Sequence, residues 1–327
     1  MIGNGLGCKL IACVVGLAAM LTLAAGASAQ GYPSRPVTLV VAFTPGGPSD
    51  VLSRILGRKL EDLLGQSFVI LNRPGAGGNI AAESVAHATA DGYTLLMGNN
   101  SILATNAALY KKVGFDAQKD FAPISLVGAQ ANILVVNPAV PAKSLVELIG
   151  LARSTPMNYA SSGHGAAAHL AAELFKSQAK VEIAHVPYKG AAPALQDVIS
   201  GQVHMMFATA ASVIGHIRTN MVRPLAVTTL TRSILLPELP TVAEQGLPGF
   251  DATTWHGLVA PAATPDAVIA TLHKASVTAL RDAAVSKSLT DLGVDIVASS
   301  PAEFATYIAD EIPKWTAVVK ASGAKLD

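Results

Sequence analysis

A strand that runs into a glycine loop and out into a helix leaves few options for the chain around it. Val37–Val41 is a short β-branched apolar run, followed by Ala42-Phe43-Thr44-Pro45-Gly46-Gly47-Pro48-Ser49-Asp50. Val51, Leu52, Ile55, Leu56, Leu60, Leu63 and Leu64 then recur at helical spacing, with Arg54, Arg58, Lys59, Glu61 and Asp62 on the other face. Gly46 and Gly47 permit a tight turn and close approach of a ligand to the backbone. Pro48 suits the first helical position, where its missing N–H costs nothing. The free N–H groups of that first turn, at the positive end of the helix dipole, make an anion site. This is neither a dinucleotide fingerprint nor a P-loop, because the G-x-G-x-x-G spacing and the G-K-[ST] sequence are both absent.

A second loop of the same design lies at Met157-Asn158-Tyr159-Ala160-Ser161-Ser162-Gly163-His164-Gly165, ahead of a helix read as Ala166 to Ser177. Two such loops, far apart in sequence, can present amide donors from opposite sides of one cleft. Between them the chain alternates. Phe68–Leu71 reads as a strand, Asn79 as the cap of the helix Ile80 to His87, and Tyr93–Met97 as a third strand. That pattern predicts a parallel sheet with helices on both faces. Asn100 and Ser101 then fall just past a strand's carboxyl end, where open α/β sheets bind ligands.

Further strands are read at 132–136, 157–160, 181–186, 201–207, 225–228 and 255–260. Ser144 with Glu147 has capping-box spacing for a helix to about Ala152. A helix is expected from Pro193 to Ile199. Two more helices, from Pro265 or Asp266 to about Asp282 and from Pro301 to Lys320, complete the first half of the fold.

Met1 to Ala29 reads as a secretory signal: Lys9 is the basic start, Leu10 to Ala25 is apolar, and Ala27-Ser28-Ala29 is a cleavage site. Cys8 and Cys13, the two cysteines, leave with it, so the mature chain has no disulfide and no thiolate ligand. Loss of Lys9 leaves 22 basic against 22 acidic residues, which gives no reason to expect nucleic acid as a partner. Nearly 300 mature residues imply two domains.

Over some 290 residues the chain resembles the periplasmic solute-binding receptors of the tripartite tricarboxylate transporter family, often called Bug receptors. The resemblance rests on Tyr32-Pro33-Ser34-Arg35-Pro36, Pro45-Gly46-Gly47 with Asp50, Asn72-Arg73-Pro74-Gly75-Ala76-Gly77-Gly78 and Asp91-Gly92-Tyr93-Thr94-Leu95. It continues in Asp120-Phe121-Ala122-Pro123-Ile124, Tyr159-Ala160-Ser161, Val186-Pro187-Tyr188-Lys189-Gly190, Leu239-Pro240-Thr241-Val242-Ala243-Glu244 and Lys314-Trp315. It implies a type II periplasmic binding-protein fold, an α/β architecture of two domains joined by crossing strands. Domain one would be 31–131 plus 253–327, and domain two 132–252.

The implied function is closure over a small carboxylate, without cofactor, by a periplasmic monomer whose partners are the membrane subunits of the transporter. The candidate ligand residues are Phe43, Thr44, Pro45, Gly46, Gly47, Ser49, Asp50, Asn100 and Ser101 from the first domain. From the second come Ala160, Ser161, Ser162, Gly163, His164, Gly165, His169, Tyr188, Ala208 and Thr209. Asp50 is expected to fix its loop rather than touch the ligand carboxylate. Many relatives carry an aspartate at the position of Ala208, so a ligand without an α-amino group is expected.

An enzyme is the competing class, with Ser162 and His164 as nucleophile and base. The loop does not match the G-x-S-x-G elbow, and no acidic residue near His164 in sequence can orient it. A sugar site is disfavoured by the 5% aromatic content. No metal site is expected, because no two histidines share a ligand-like helical spacing such as H-E-x-x-H.

Overall fold

The computed structural model describes residues 31–188 and 190–326, with Ala211 described in its backbone alone. The signal segment, its two cysteines and Lys189 lie outside the described residues. The chain divides into two units, Met1–Ser34 and Arg35–Asp327, and everything below belongs to the second.

Its first elements are β1 (Val37–Val41), α1 (Pro48–Leu64), β2 (Phe68–Asn72), α2 (Asn79–Ala86), β3 (Thr94–Asn99), α3 (Asn106–Leu109) and β4 (Phe121–Gln130). Next come β5 (Asn132–Val136), α4 (Leu145–Ser154), β6 (Asn158–Ser161), α5 (Ala167–Ala179), β7 (Ala184–Pro187), α6 (Ala191–Ile199), β8 (Met205–Thr209), α7 (Ala210–Arg218) and β9 (Arg223–Val227). The chain closes with β10 (Thr254–Pro261), α8 (Asp266–Arg281), α9 (Ala283–Asp291), β11 (Val294–Ile296) and α10 (Pro301–Ser322).

The strands form two sheets, ordered β11-β4-β10-β3-β1-β2 and β7-β6-β8-β5-β9. The expected parallel sheet is corrected to two mixed sheets. β1 is parallel to β2 and β3, but β10 runs antiparallel to both β3 and β4. In the second sheet β6 is parallel to β7 and β8, while β5 opposes β8 and β9. Besides β11, which opposes β4 at the sheet edge, the antiparallel members are β10 and β5, the strands that begin where the chain passes between sheets. Entering from the far side, such a strand must run against its neighbours.

Asn132 holds that passage together. Its side-chain amide donates to Ala252 O at 2.7 Å and to Thr254 Oγ1 at 3.3 Å, and its backbone N–H donates to Thr228 Oγ1 at 3.0 Å. Thr228 in turn donates to Ala252 O at 3.0 Å. One buried asparagine therefore ties the outgoing chain to the returning one. The C-terminal helix spans the junction as well, packing on β4 of the first sheet and on α5 beside the second. Glu311, buried on α10, accepts the indole N–H groups of Trp255 (2.9 Å) and Trp315 (2.8 Å) and a bond from Lys314 (2.7 Å). The helix thus does more than complete the first half, as the chain order suggested.

Several local expectations also change. Asn79 does not cap α2; it is the first helical residue, behind Gly78, and its Oδ1 accepts from Asn106 at 2.6 Å. Ser144 does cap α4, but Glu147 returns its bond to the N–H of Lys143 instead of Ser144. β7 starts only at Ala184, and β8 begins later than expected and runs on to Thr209. β4, α7, α9 and β11 carried no clear periodic signal. The helix expected to end near Asp282 does end there, at Arg281, because Asp282 turns out to extended geometry and caps α9 through Ala284 and Val285.

Candidate functional site: two glycine loops at the carboxyl ends of two sheets

The first loop is built around a carboxylate. Asp50, 2% exposed, accepts from the Gly46 N–H (2.9 Å) and Arg54 Nε (2.9 Å) on one oxygen and from Asn72 Nδ2 (2.9 Å) on the other. Asn72 also donates to Phe43 O at 3.0 Å, which ties the loop to the end of β2. Arg54 beside it, with Gly46 and Asn72, outweighs burial and holds the Asp50 carboxyl at about 2, below its ordinary range. Asp50 is therefore a fixed, neutralised strut.

The two glycines differ. Gly46 sits at φ 84°, where L side chains are strained. Gly47 is the residue before the helix at φ −78°, and a Cβ there would meet nothing nearer than Thr44 O at 3.5 Å. Pro48 opens α1 as expected; the Asp50 and Val51 N–H groups donate to Gly47 O at 3.0 Å, which leaves the Ser49 N–H of the first turn without an intrahelical acceptor.

Ser49 Oγ lies 2.9 Å from His256 Nε2 on β10. The sequence reading placed His256 on a crossing strand and gave it no role. Burial holds its ring neutral, with a pKa lowered to about 4. At the end of β3, Asn100 is 1% exposed, and neither Oδ1 nor Nδ2 has a hydrogen-bond partner among the described residues. His256 Nδ1 is also buried and unpartnered there. Ser101 starts a single wide helical turn behind Asn100.

The second loop is built around imidazoles. Ser161, fully buried, donates to Gly163 O (3.0 Å), accepts from Gly163 N–H (3.2 Å) and lies 2.6 Å from His185 Nε2. Gly165 N–H donates to His169 Nδ1 at 3.1 Å, and Tyr188 N–H to Ser161 O at 3.0 Å. His169 stacks on His185 with ring centroids 4.2 Å apart, and Tyr159 covers the His185 ring at 4.8 Å. His164, exposed, meets the edges of both at 5.7 and 4.9 Å. Burial first, then the neighbouring histidines, lowers His169 and His185 to about 4, so both are neutral at pH 7. Tyr159 donates to Glu173 at 2.6 Å, and Lys176 pairs with the same carboxylate at 2.9 Å. Tyr188 points its hydroxyl to Asp197 at 2.6 Å; burial and that carboxylate raise it to about 12.

Ser162, the proposed nucleophile, makes no hydrogen bond to its neighbour His164 among the described side chains. In this loop the serine that does meet a histidine is Ser161, and it is fully buried and bonded to both polar groups of Gly163. Neither serine is arranged for attack.

A cavity of about 230 Å³ joins Gly46 and Pro48 to Thr209 and Ser212, so residues of both sheets share one surface. Ala208 is packed in the apolar cluster with Ile133, Ala160 and Val213. A larger pocket of about 480 Å³ at Asn137 and His204 lies at the opposite end of the second sheet's strands, past β5 and ahead of β6 and β8, and contains none of the predicted residues. No hydrogen bond runs directly between the two glycine loops among the described residues; Gly165 instead faces Leu109 of α3 and the C-terminal Leu326.

Two mixed α/β sheets, joined by crossing segments and presenting small-residue loops at strand ends, define a solute-binding receptor. The chain belongs to the tripartite tricarboxylate transporter family receptors, whose family model matches residues 52–324. It is 38% identical to protein BugT of Bordetella pertussis over 321 residues, covering 97% of this chain and 98% of that one. Among solved structures, R. palustris Rpa4515 with adipate has a TM-score of 0.81 at 39% identity, covering 90% of this chain and all (100%) of that one. MatC from Rhodopseudomonas palustris with bound malate has a TM-score of 0.76 at 34% identity, covering 88% of this chain and 100% of that one. These are periplasmic receptors, not enzymes.

Proposed function

We propose that the protein captures a small carboxylate without an α-amino group and delivers it to the membrane subunits of a tripartite tricarboxylate-type transporter. Residues 31–131 with 253–327 would form one closing lobe and 132–252 the other, hinged where Asn132 bridges Ala252 and Thr254. The ligand's carboxylate would lie between Phe43–Asp50, with Asn100 and Ser101, and the second-lobe set Ala160–Gly165, His169, Tyr188 and Thr209. Relatives that hold adipate and malate support this class of ligand.

The observation that carries the reading is Asn100. A buried amide with both polar atoms unpaired by protein costs stability, and a carboxylate with an adjacent hydroxyl or water offers both bonds. Exclusion of amino acids follows from Asp50. Its two oxygens are already taken by Gly46, Arg54 and Asn72, so an ammonium would enter without a counter-charge.

The test is calorimetry of refolded, ligand-free protein with mono-, di- and tricarboxylates beside aspartate and glutamate. Dicarboxylates should bind first, and Asn100→Ala should weaken them by about 1.5–3 kcal/mol while leaving unfolding stability unchanged or higher. Micromolar glutamate binding, or an Asn100→Ala variant that binds like the parent, would overturn the reading.

A further inference from the structure

Three imidazoles converge on the second loop from three elements: His164 from the loop itself, His169 from the first turn of α5, and His185 from β7. One ring nitrogen from each can be chosen so that all three lie within 4.8 Å of one another. The register of β6 and β7 sets Tyr159 beside His185, and the tyrosine ring closes one side of the group.

Ser161 Oγ lies 3.0 Å from Gly163 O and 2.6 Å from His185 Nε2. In the tautomer that keeps the Ser161 proton on Gly163 O, His185 donates Nε2–H to Ser161 and its Nδ1 has an open lone pair for a metal. A histidine whose far nitrogen is held by an outer hydrogen bond is the arrangement metal ligands use. Burial falls from His169 through His185 to the exposed His164, so an ion has an approach on the His164 side.

We infer that His164, His169 and His185 form a binding site for one divalent transition-metal ion of the imidazole-preferring group, with zinc as the probe. Imidazole donors select zinc, copper, nickel and iron over magnesium and calcium. Three protein nitrogens leave a fourth position open, as in exchangeable or reactive zinc sites and unlike closed structural ones. The nitrogens of a tetrahedral zinc site lie about 3.3 Å apart, given bonds of about 2.0–2.1 Å. The 4.8 Å spread therefore needs a closing movement, and His164 on its exposed glycine loop supplies it.

Binding has a structural consequence. His169 Nδ1 accepts the Gly165 N–H at 3.1 Å, so its proton is on Nε2. A metal at Nδ1 displaces the amide, and a metal at Nε2 forces the proton onto Nδ1. Either way the Gly165–His169 bond breaks and the turn between Gly163 and Gly165, at φ 135° and 74°, is rearranged.

The site is tested without any carboxylate, so its outcome is separate from the proposed transport function. Mature protein with no affinity tag, stripped by chelator, is titrated with zinc chloride by calorimetry and with cobalt(II) by visible absorption. One equivalent should bind with a dissociation constant on the order of 1 μM or tighter. The Gly165 amide resonance should shift in step with it. His185→Gln and His164→Gln should each abolish the saturable phase, Ser161→Ala should weaken it about tenfold, and the exposed control His87→Gln should leave it intact. Unfolding curves in chelator verify that each variant is folded, and His164→Gln, on the exposed loop, carries the test if His185→Gln is not. No binding by the parent, or binding that survives His164→Gln, overturns the proposal.

Discussion

The two glycine loops share a plan and differ in what holds them. The β1–α1 loop is clamped by charge: a buried carboxylate draws together a loop amide, a guanidinium and the end of the next strand. The β6–α5 loop is clamped by neutral groups, a serine hydroxyl and two imidazoles that burial keeps unprotonated. The first is therefore a fixed helix terminus with its own charge cancelled. The second is adjustable, because its two imidazole fastenings, His185 to Ser161 and Gly165 to His169, change with protonation.

The largest effect should come from breaking the charged clamp. Asp50→Ala strands the Gly46 amide, Asn72 and Arg54, and should cost about 3 kcal/mol of unfolding free energy in urea titrations. The lower end of the usual range applies because Arg54 is half exposed. A loss under about 1 kcal/mol would mean the loop holds its shape without the carboxylate.

Acid should separate the two clamps. His169 titrates at about 4 in the folded protein against 6.5 ordinarily, so the unfolded chain binds more protons between those values. Stability is full above about 6.5 and falls until pH 4, by about 3 kcal/mol for this residue. Asp50, lowered to about 2 from 3.8, contributes stability that persists to pH 4 and is lost only below it, about 1–2 kcal/mol. Urea midpoints in chelator at pH 7, 4 and 2 should therefore show His169→Gln flattening mainly the first interval, with His185, also lowered to about 4, keeping part of that slope. His256, also neutral and buried beside Ser49, keeps part of the first slope in that variant.

Ser161→Ala should cost about 1–3 kcal/mol, since it unpairs His185 Nε2 and the Gly163 N–H at once, while Gly163 O keeps the Ala166 N–H. The smallest effect is expected at the turns. Gly46→Ala places a Cβ in open space at φ 84° and should cost about 1 kcal/mol from backbone strain alone. Gly165→Ala at φ 74° adds a collision with Leu109 Cδ2 and should cost more. Equal losses at the two glycines would show that Leu109 moves aside freely.

Much of this was legible from residues close in sequence. Gly46, Pro48 and the helical spacing of α1 are local, and so the turn, the helix start and the structural role of Asp50 could be read in advance. Equivalence of Gly46 and Gly47 could not be judged that way, because only the folded φ angles tell a strained position from an ordinary one. β4 escaped notice for a related reason: strand pairing depends on its neighbours β10 and β11, which lie more than a hundred residues downstream.

Sequence alone determined the two loops, their helices, the family and the commitment of Asp50 to its own loop. Tertiary structure alone decided that β10 and β5 run against their neighbours, that His256 sits on Ser49, and that Asn100 is buried without a hydrogen-bond partner among the described residues. It also brought His164, His169 and His185 together. Ligand spacing along the chain reports only rings that share one helix, whereas these come from a loop, a helix and a strand. Short-range geometry follows from spacing along the chain, but proximity across β6 and β7 exists only once the sheet has set their register.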